Sequence, residues 1–133
     1  MTLLEVEDLH VTYRGTTNVQ AVRGVSFSLE EGETLGIVGE SGCGKTTLAQ
    51  AVMGSLPDNG EITGGTIRFK GEDITHLSKK ERRKIRWENM SMISQSAMNS
   101  LDPVYRVKDQ IREAIQEHRD VSKAEAYGRG REL

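Results

Sequence analysis

Nine residues constrain this chain more than any others: Gly39-Glu40-Ser41-Gly42-Cys43-Gly44-Lys45-Thr46-Thr47, set directly behind the apolar run Leu35-Gly36-Ile37-Val38. They fit the phosphate-loop pattern G-x-x-x-x-G-K-[ST], which works only between a strand and a helix. The glycines let the backbone turn successive N–H groups into one concavity, with no Cβ in the way of an anion. Lys45 brings a flexible positive charge for β- and γ-phosphates, and the Thr46 hydroxyl is of the type that ligates Mg²⁺. The following helix aims its positive end at the anion. A glycine-rich turn with no ligand is the alternative, and it does not need that context.

The flanking residues supply the context. Thr34 to Val38 is apolar or small throughout, which predicts a strand buried on both faces of a sheet. Lys45 to about Met53 reads as a helix, with Leu48, Ala51 and Val52 on one face and Pro57 just past its end. Cys43 lies inside the loop, either as a thiol that bound nucleotide would shield or as a filler at a permissive position.

The rest of the 133-residue chain is read the same way. Leu4, Val6 and Leu9 to Val11 mostly alternate, and Val25, Phe27 and Leu29 alternate cleanly, as half-buried antiparallel strands do. Glu30-Glu31-Gly32-Glu33 is a turn. A glycine-rich stretch, Pro57 to Gly65, leads to a short strand at Thr66 to Phe69. Ser78-x-x-Glu81 is a capping box that starts a helix toward Arg86, and Met90 to Ser94 reads as another strand. Val107, Ile111, Ala114, Ile115 and His118 form a helical stripe. Ser122-x-x-Glu125 opens a last helix shortly before Leu133, an abrupt end that predicts a longer natural chain.

Composition bounds the classes. At 35% hydrophobic and 29% charged residues with net charge −2, the chain has the make-up of a globular domain and no global pull toward nucleic acid. One cysteine makes no internal disulfide, and no apolar run reaches the ~18–20 residues of a membrane span, so a reduced, intracellular and soluble domain is expected. Lys79, Lys80, Arg82, Arg83, Lys84 and Arg86 put six positive charges in eight residues. They read as the solvated face of a short helix, with Trp87 a partly buried anchor; a nucleic-acid or headgroup patch is the other option.

The stretch VTYRGTTNVQAVRGVSFSLEEGETLGIVGESGCGKTTLAQAVMGSLP resembles the start of an ABC transporter nucleotide-binding subunit. The likeness runs from about Leu3 to Leu133. It implies an α/β fold: a P-loop NTPase core of ABC ATPase type, truncated at its C-terminus. An antiparallel β subdomain spans about 1–33, the core to the Q-loop 34–95, and the start of a helical subdomain 96–133. It implies that Tyr13, 26 positions before Gly39, stacks on adenine through its ring face; by itself, a tyrosine ending a strand is an edge or packed aromatic. It places the Q-loop glutamine at Gln95, in MSMISQSAMNSLDPVY, as a ligand of Mg²⁺ together with Thr46 and as an orienter of water. Gln95 and Lys45 are then the only catalytic groups in the chain. ATP and Mg²⁺ are the implied cofactors, held by Tyr13, residues 39–47 and Gln95.

The spacer GEITGGTIRFKGEDITHLSKKERRKIR and the SLDPVYRV region narrow the resemblance to the dipeptide, oligopeptide and nickel importers. That branch commonly has Phe before the glutamine, then Asp-Pro, and Asn-Pro a little further on; this chain departs from it with Ser94, Ser96-Ala97 and Asp102-Pro103 around Gln95. The resemblance implies permease subunits met through the Q-loop region, a second ABC ATPase subunit in a homo- or heterodimer, and a substrate-binding protein as an indirect partner. It implies a peripheral position on the cytoplasmic face of the plasma membrane and no nucleic acid. No L-S-G-G-Q-like signature and no apolar strand ending in Asp-Glu follows Gln95. His10, His76 and His118 lie in the wrong places for the switch histidine, while Glu113 and Glu117 read as solvent-facing helix charges. Nucleotide binding with little hydrolysis is therefore expected. The rivals are a non-catalytic fragment that only binds nucleotide, and a small stand-alone P-loop kinase using Arg82, Arg83 and Arg86.

Overall fold

The computed structural model describes residues 1–133, with every side chain except that of Met98. The chain divides into two compact units, residues 1–86 and 87–133.

The first unit is organised by β1 (Thr2–Tyr13), which hydrogen-bonds on both edges in a sheet of order β2-β1-β3-β4, with β2 at Val19–Glu30, β3 at Gly60–Phe69 and β4 at Glu72–Asp73. All pairings are antiparallel, with Val6 opposite Phe27 on one side and Ile67 on the other. Strict alternation would send Val6 and Leu9 to opposite faces, yet both are buried together with Val11. A bulge reconciles them. Asp8 takes φ 44° where the registers with β2 and β3 both slip, and the extra residue turns the strand back onto its apolar face.

Helix α1 (Lys45–Met53) packs on β1 and β2 through Leu48 and Ala51, and Ile67, Phe69 and Ile74 complete the buried set. Burying side chains such as Leu9 and Ile67 contributes about 1.5–3 kcal/mol each. Gly54 ends α1 in the left-handed conformation, its N–H returning to Ala51. Helix α2 (Lys79–Glu88) starts where the first capping box lies: Glu81 N–H donates to Ser78 Oγ, and Ser78 N–H to Glu81 Oε2 at 2.9 Å. The Ser78 hydroxyl, donating to Glu81 Oε2 at 2.6 Å, and then the Ser78 N–H hold the Glu81 carboxyl below its usual range.

Three expectations are corrected. The glycine-rich stretch is sheet from Gly60 onward, because β1 offers it a ladder out to Tyr13. Thr34 to Val38 forms no strand, and Leu35, Ile37 and Val38 are exposed. Met90 to Ser94 likewise stays unpaired, with Met92 and Ile93 exposed. A strand buried on both faces needs neighbours on two edges and layers on two sides, and the described residues provide neither for these segments.

The basic cluster is also not a uniform solvated face. Arg82 is buried, its guanidinium donating to the Val52 carbonyl at 2.7 Å and the Thr75 carbonyl at 3.5 Å, with its stem against Gly54. A cation on the last carbonyls of α1 satisfies acceptors the helix leaves open and complements its negative end. Burial, with Arg86 beside it, pulls the guanidinium below its ordinary value.

The second unit is a helical hairpin of α3 (Val107–His118) and α4 (Lys123–Glu132). Ile115 and Ala126 are its buried side chains, and Tyr127 donates to Asp109 at 2.6 Å. The Ser122 capping box forms as the sequence predicts. Trp87, half-exposed, stacks on His118 with ring centroids 4.3 Å apart. Among the described residues, no helix is long and apolar enough to cross a membrane.

Candidate functional site

The loop from Gly39 to Gly44 owes its shape to local geometry and to β2 behind it. Gly42 and Gly44 take φ 81° and 99°, values that side chains resist. At Gly44 a Cβ would also run into the Ala21 carbonyl of β2, so glycine is required twice over. Cys43 N–H donates to the Glu40 carbonyl at 3.2 Å, closing the loop, and Leu48 N–H to the Gly44 carbonyl at 2.9 Å is the first full helical bond of α1.

The N–H groups of Lys45, Thr46 and Thr47 thus fall among the first-turn donors that a helix cannot satisfy internally. Most helices cover them with a side-chain cap. Here the N-cap is Gly44, no side chain caps the end, and no acidic residue stands in the first turn. Lys45 places its ammonium across the loop, 2.6 Å from the Gly39 carbonyl, 2.7 Å from the Glu40 carbonyl and 3.4 Å from Cys43 Sγ. A helix positive end, uncapped donors and a cation held across the loop converge on one spot. That donor set fits the phosphates of a nucleotide, and the exposed Thr46 hydroxyl beside it is a hard oxygen of the kind Mg²⁺ takes.

Gly39, Glu40, Ser41, Gly42 and Cys43 are exposed along the rim, Gly44 and Lys45 are half-buried, and Thr47 is buried. Tyr13 closes β1 at its pairing with Val19 and Gly60, half-buried. Its hydroxyl meets Thr47 Oγ1 at 3.0 Å. The structure therefore brings Tyr13 against the first turn of α1. Gly60 is small for the same reason, since a Cβ there would sit 3.0 Å from the Tyr13 ring. Gln95 belongs to the second unit, exposed in a turn just before a short 3₁₀ turn at Ala97–Asn99.

Sequence reading missed two supporting features. The Ala21 carbonyl behind Gly44 leaves no sequence signal, because it is a backbone atom. Arg82 did leave one: it precedes Ile85 by three residues and so shares the inward face of α2.

Comparison with known proteins bears on this geometry. Residues 22–130 match the family model described as ABC transporter. The chain is 51% identical over 128 residues to the dipeptide transport ATP-binding protein DppD of Bacillus subtilis, covering 93% of this chain and 38% of that protein. It is 49% identical over 126 residues to the oligopeptide transport ATP-binding protein OppD of Escherichia coli, covering 94% of this chain and 37% of that one. It thus spans less than two-fifths of the length of these relatives. Among solved structures, it superposes with a TM-score of 0.81 on a dimeric ATP-binding cassette in a post-hydrolysis state bound to ADP and Pi. That pair is 22% identical and covers 98% of this chain and 55% of the other. A nucleotide-free ATP-binding cassette from an ABC transporter gives a TM-score of 0.51 at 33% identity, covering 61% of this chain and 29% of that one. The likeness shows the fold: part of an ATP-binding cassette.

Proposed function

The chain belongs to the ABC transporter family, and from that premise we propose that it is the N-terminal part of a nucleotide-binding subunit that binds ATP with Mg²⁺. The observation that carries the reading is the uncapped start of α1, with no acidic residue in its first turn and with Lys45 bridging the loop. In this reading the first-turn amides and Lys45 hold phosphate oxygens, Thr46 supplies a ligand to Mg²⁺, and the Tyr13 ring carries the adenine; Gln95 keeps only the role that the family resemblance implies. Bound Mg²⁺ would neutralise phosphate charge.

The peptide-transporter names of the similar proteins support a further step: the complete subunit powers import of di- or oligopeptides. It would dock on permease subunits through the region after Gln95, pair with a second ATPase subunit, and lie peripherally on the cytoplasmic face of the plasma membrane. A substrate-binding protein would be reached only through the permease. The 133 residues carry no signature motif and no Asp-Glu strand after Gln95, so the chain by itself is expected to bind nucleotide and turn over little of it. Calorimetric titration with MgATP tests the core of this. Lys45→Ala should weaken binding at least tenfold, the scale of a hydrogen-bonded charge; unchanged affinity would remove the phosphate-loop assignment.

A further inference from the structure

The Tyr13–Thr47 contact joins two parts of the site that stacking and phosphate binding would otherwise use separately. Tyr13 ends a strand, Thr47 sits in the first turn of α1, and their hydroxyls are 34 residues apart in sequence but 3.0 Å apart in space. Three features hold the tyrosine in this pose before any ligand arrives. Its backbone pairs with Val19 and with Gly60, and Gly60, lacking a side chain, lets the ring edge lie close. Thr47 is buried, so its hydroxyl has little access to water and needs protein or ligand partners.

A hydroxyl carries one proton and two acceptor sites. Between a phenol and an aliphatic alcohol, the phenol is the better donor and the alcohol the better acceptor. Tyr13 O–H donating to Thr47 Oγ1 fixes the threonine rotamer and leaves the Thr47 proton free to point elsewhere. The uncapped helix start beside it is where an anionic oxygen would be received. Linked hydrogen bonds polarise one another, so a Thr47 that already accepts is a stronger donor to an anion.

We propose that Tyr13 is a positioning residue for phosphate as well as a platform for the base, acting through a Tyr13–Thr47 hydroxyl relay that couples the two ends of the nucleotide site. This rests on the nucleotide-binding reading above. It separates cleanly from stacking, because a ring that only stacks has no influence on a ligand without a base.

The test uses the full chain and inorganic tripolyphosphate with Mg²⁺, titrated alongside MgATP. Tyr13→Phe keeps the ring and removes the hydroxyl; it should weaken tripolyphosphate binding about three- to tenfold, the range of one hydrogen bond. Thr47→Val should do the same, the double variant should be no weaker than either single one, and Thr47→Ser should retain the affinity. Circular dichroism separates loss of fold from loss of binding, and Thr47→Val, nearly isosteric, carries the test if Tyr13→Phe is destabilised. Tripolyphosphate affinity unchanged in Tyr13→Phe, while Lys45→Ala loses it, overturns the relay and leaves the nucleotide reading standing. Additive losses in the double variant also overturn it. Wild-type protein that binds neither ligand overturns both.

Discussion

Two apolar stretches of similar character meet opposite fates in this chain. Val6, Leu9 and Val11 in β1 are 1%, 0% and 0% exposed, whereas Leu35, Ile37 and Val38, just ahead of the phosphate loop, are 43%, 48% and 96% exposed. Hydrophobicity does not separate them. Partners do: β1 has a hydrogen-bonding neighbour on each edge and α1 against its apolar face, while no described segment pairs with residues 34–38. A strand is a property of its neighbours as much as of its residues. The phosphate loop is instructive because it forms regardless, being fixed by the turn glycines, by β2 behind Gly44 and by the start of α1.

Leu9→Ala should produce the largest effect on this contrast. Removing a fully buried leucine from the doubly paired strand should cost about 2–5 kcal/mol in urea unfolding followed by circular dichroism. A loss under about 1 kcal/mol would mean the sheet is not the stable part of the unit.

The helical hairpin of the second unit sharpens the comparison, because its partners are close in sequence. The Tyr127 bond is the main cause holding the Asp109 carboxyl below its ordinary 3.8, with Arg112 and Lys108 adding to it. The same bond is the main cause raising the Tyr127 phenol above its ordinary 10.0. A lowered carboxyl pKa contributes stability that is present above pH 3.8 and lost as pH falls through the folded value. A raised phenol contributes stability that is present below pH 10.0 and lost as pH rises through its folded value. Protection of the α4 amides, followed by NMR against pH, should therefore fall at both ends of the range. Tyr127→Phe should flatten both edges, and a profile unaltered by it would show that the bond contributes nothing to the hairpin.

Val38→Ser should give the smallest change, within about 0.5 kcal/mol of wild type, since the side chain lies in solvent. A cost approaching that of Leu9→Ala would show that residues 34–38 are paired and buried in solution, and the contrast would fail.

The sequence made the local features legible and left the long-range ones hidden. Both capping boxes, the bounds of α1 and α3, and the phosphate loop are written in residues a few positions apart. The β3 strand is not: Gly60 to Gly65 has the composition of a loop, and only pairing with Val11, Thr12 and Tyr13 makes it sheet. The bulge at Asp8 is hidden for the same reason, as it resolves a conflict between two neighbouring strands. Arg82 was half-legible, since helical spacing puts it on the face of Ile85 while its charge argues for solvent; the carbonyls of Val52, at the end of α1, and of Thr75 decide the matter. In the candidate site, the loop is proposed from its residues alone and Tyr13 from the family resemblance. The Tyr13–Thr47 contact depends on β1 and α1 meeting, which no spacing encodes.

The central claim is that a phosphate-holding site is built into residues 39–47 even where the strand before it is unpaired. Backbone hydrogen exchange with and without MgATP tests it most directly. Exchange at Gly42 to Thr47 should slow on adding MgATP, that at Val6 to Val11 should stay unchanged, and Lys45→Ala should abolish the slowing. MgATP that leaves the 42–47 amides exchanging at the same rate, or protects them equally in Lys45→Ala, would contradict the account.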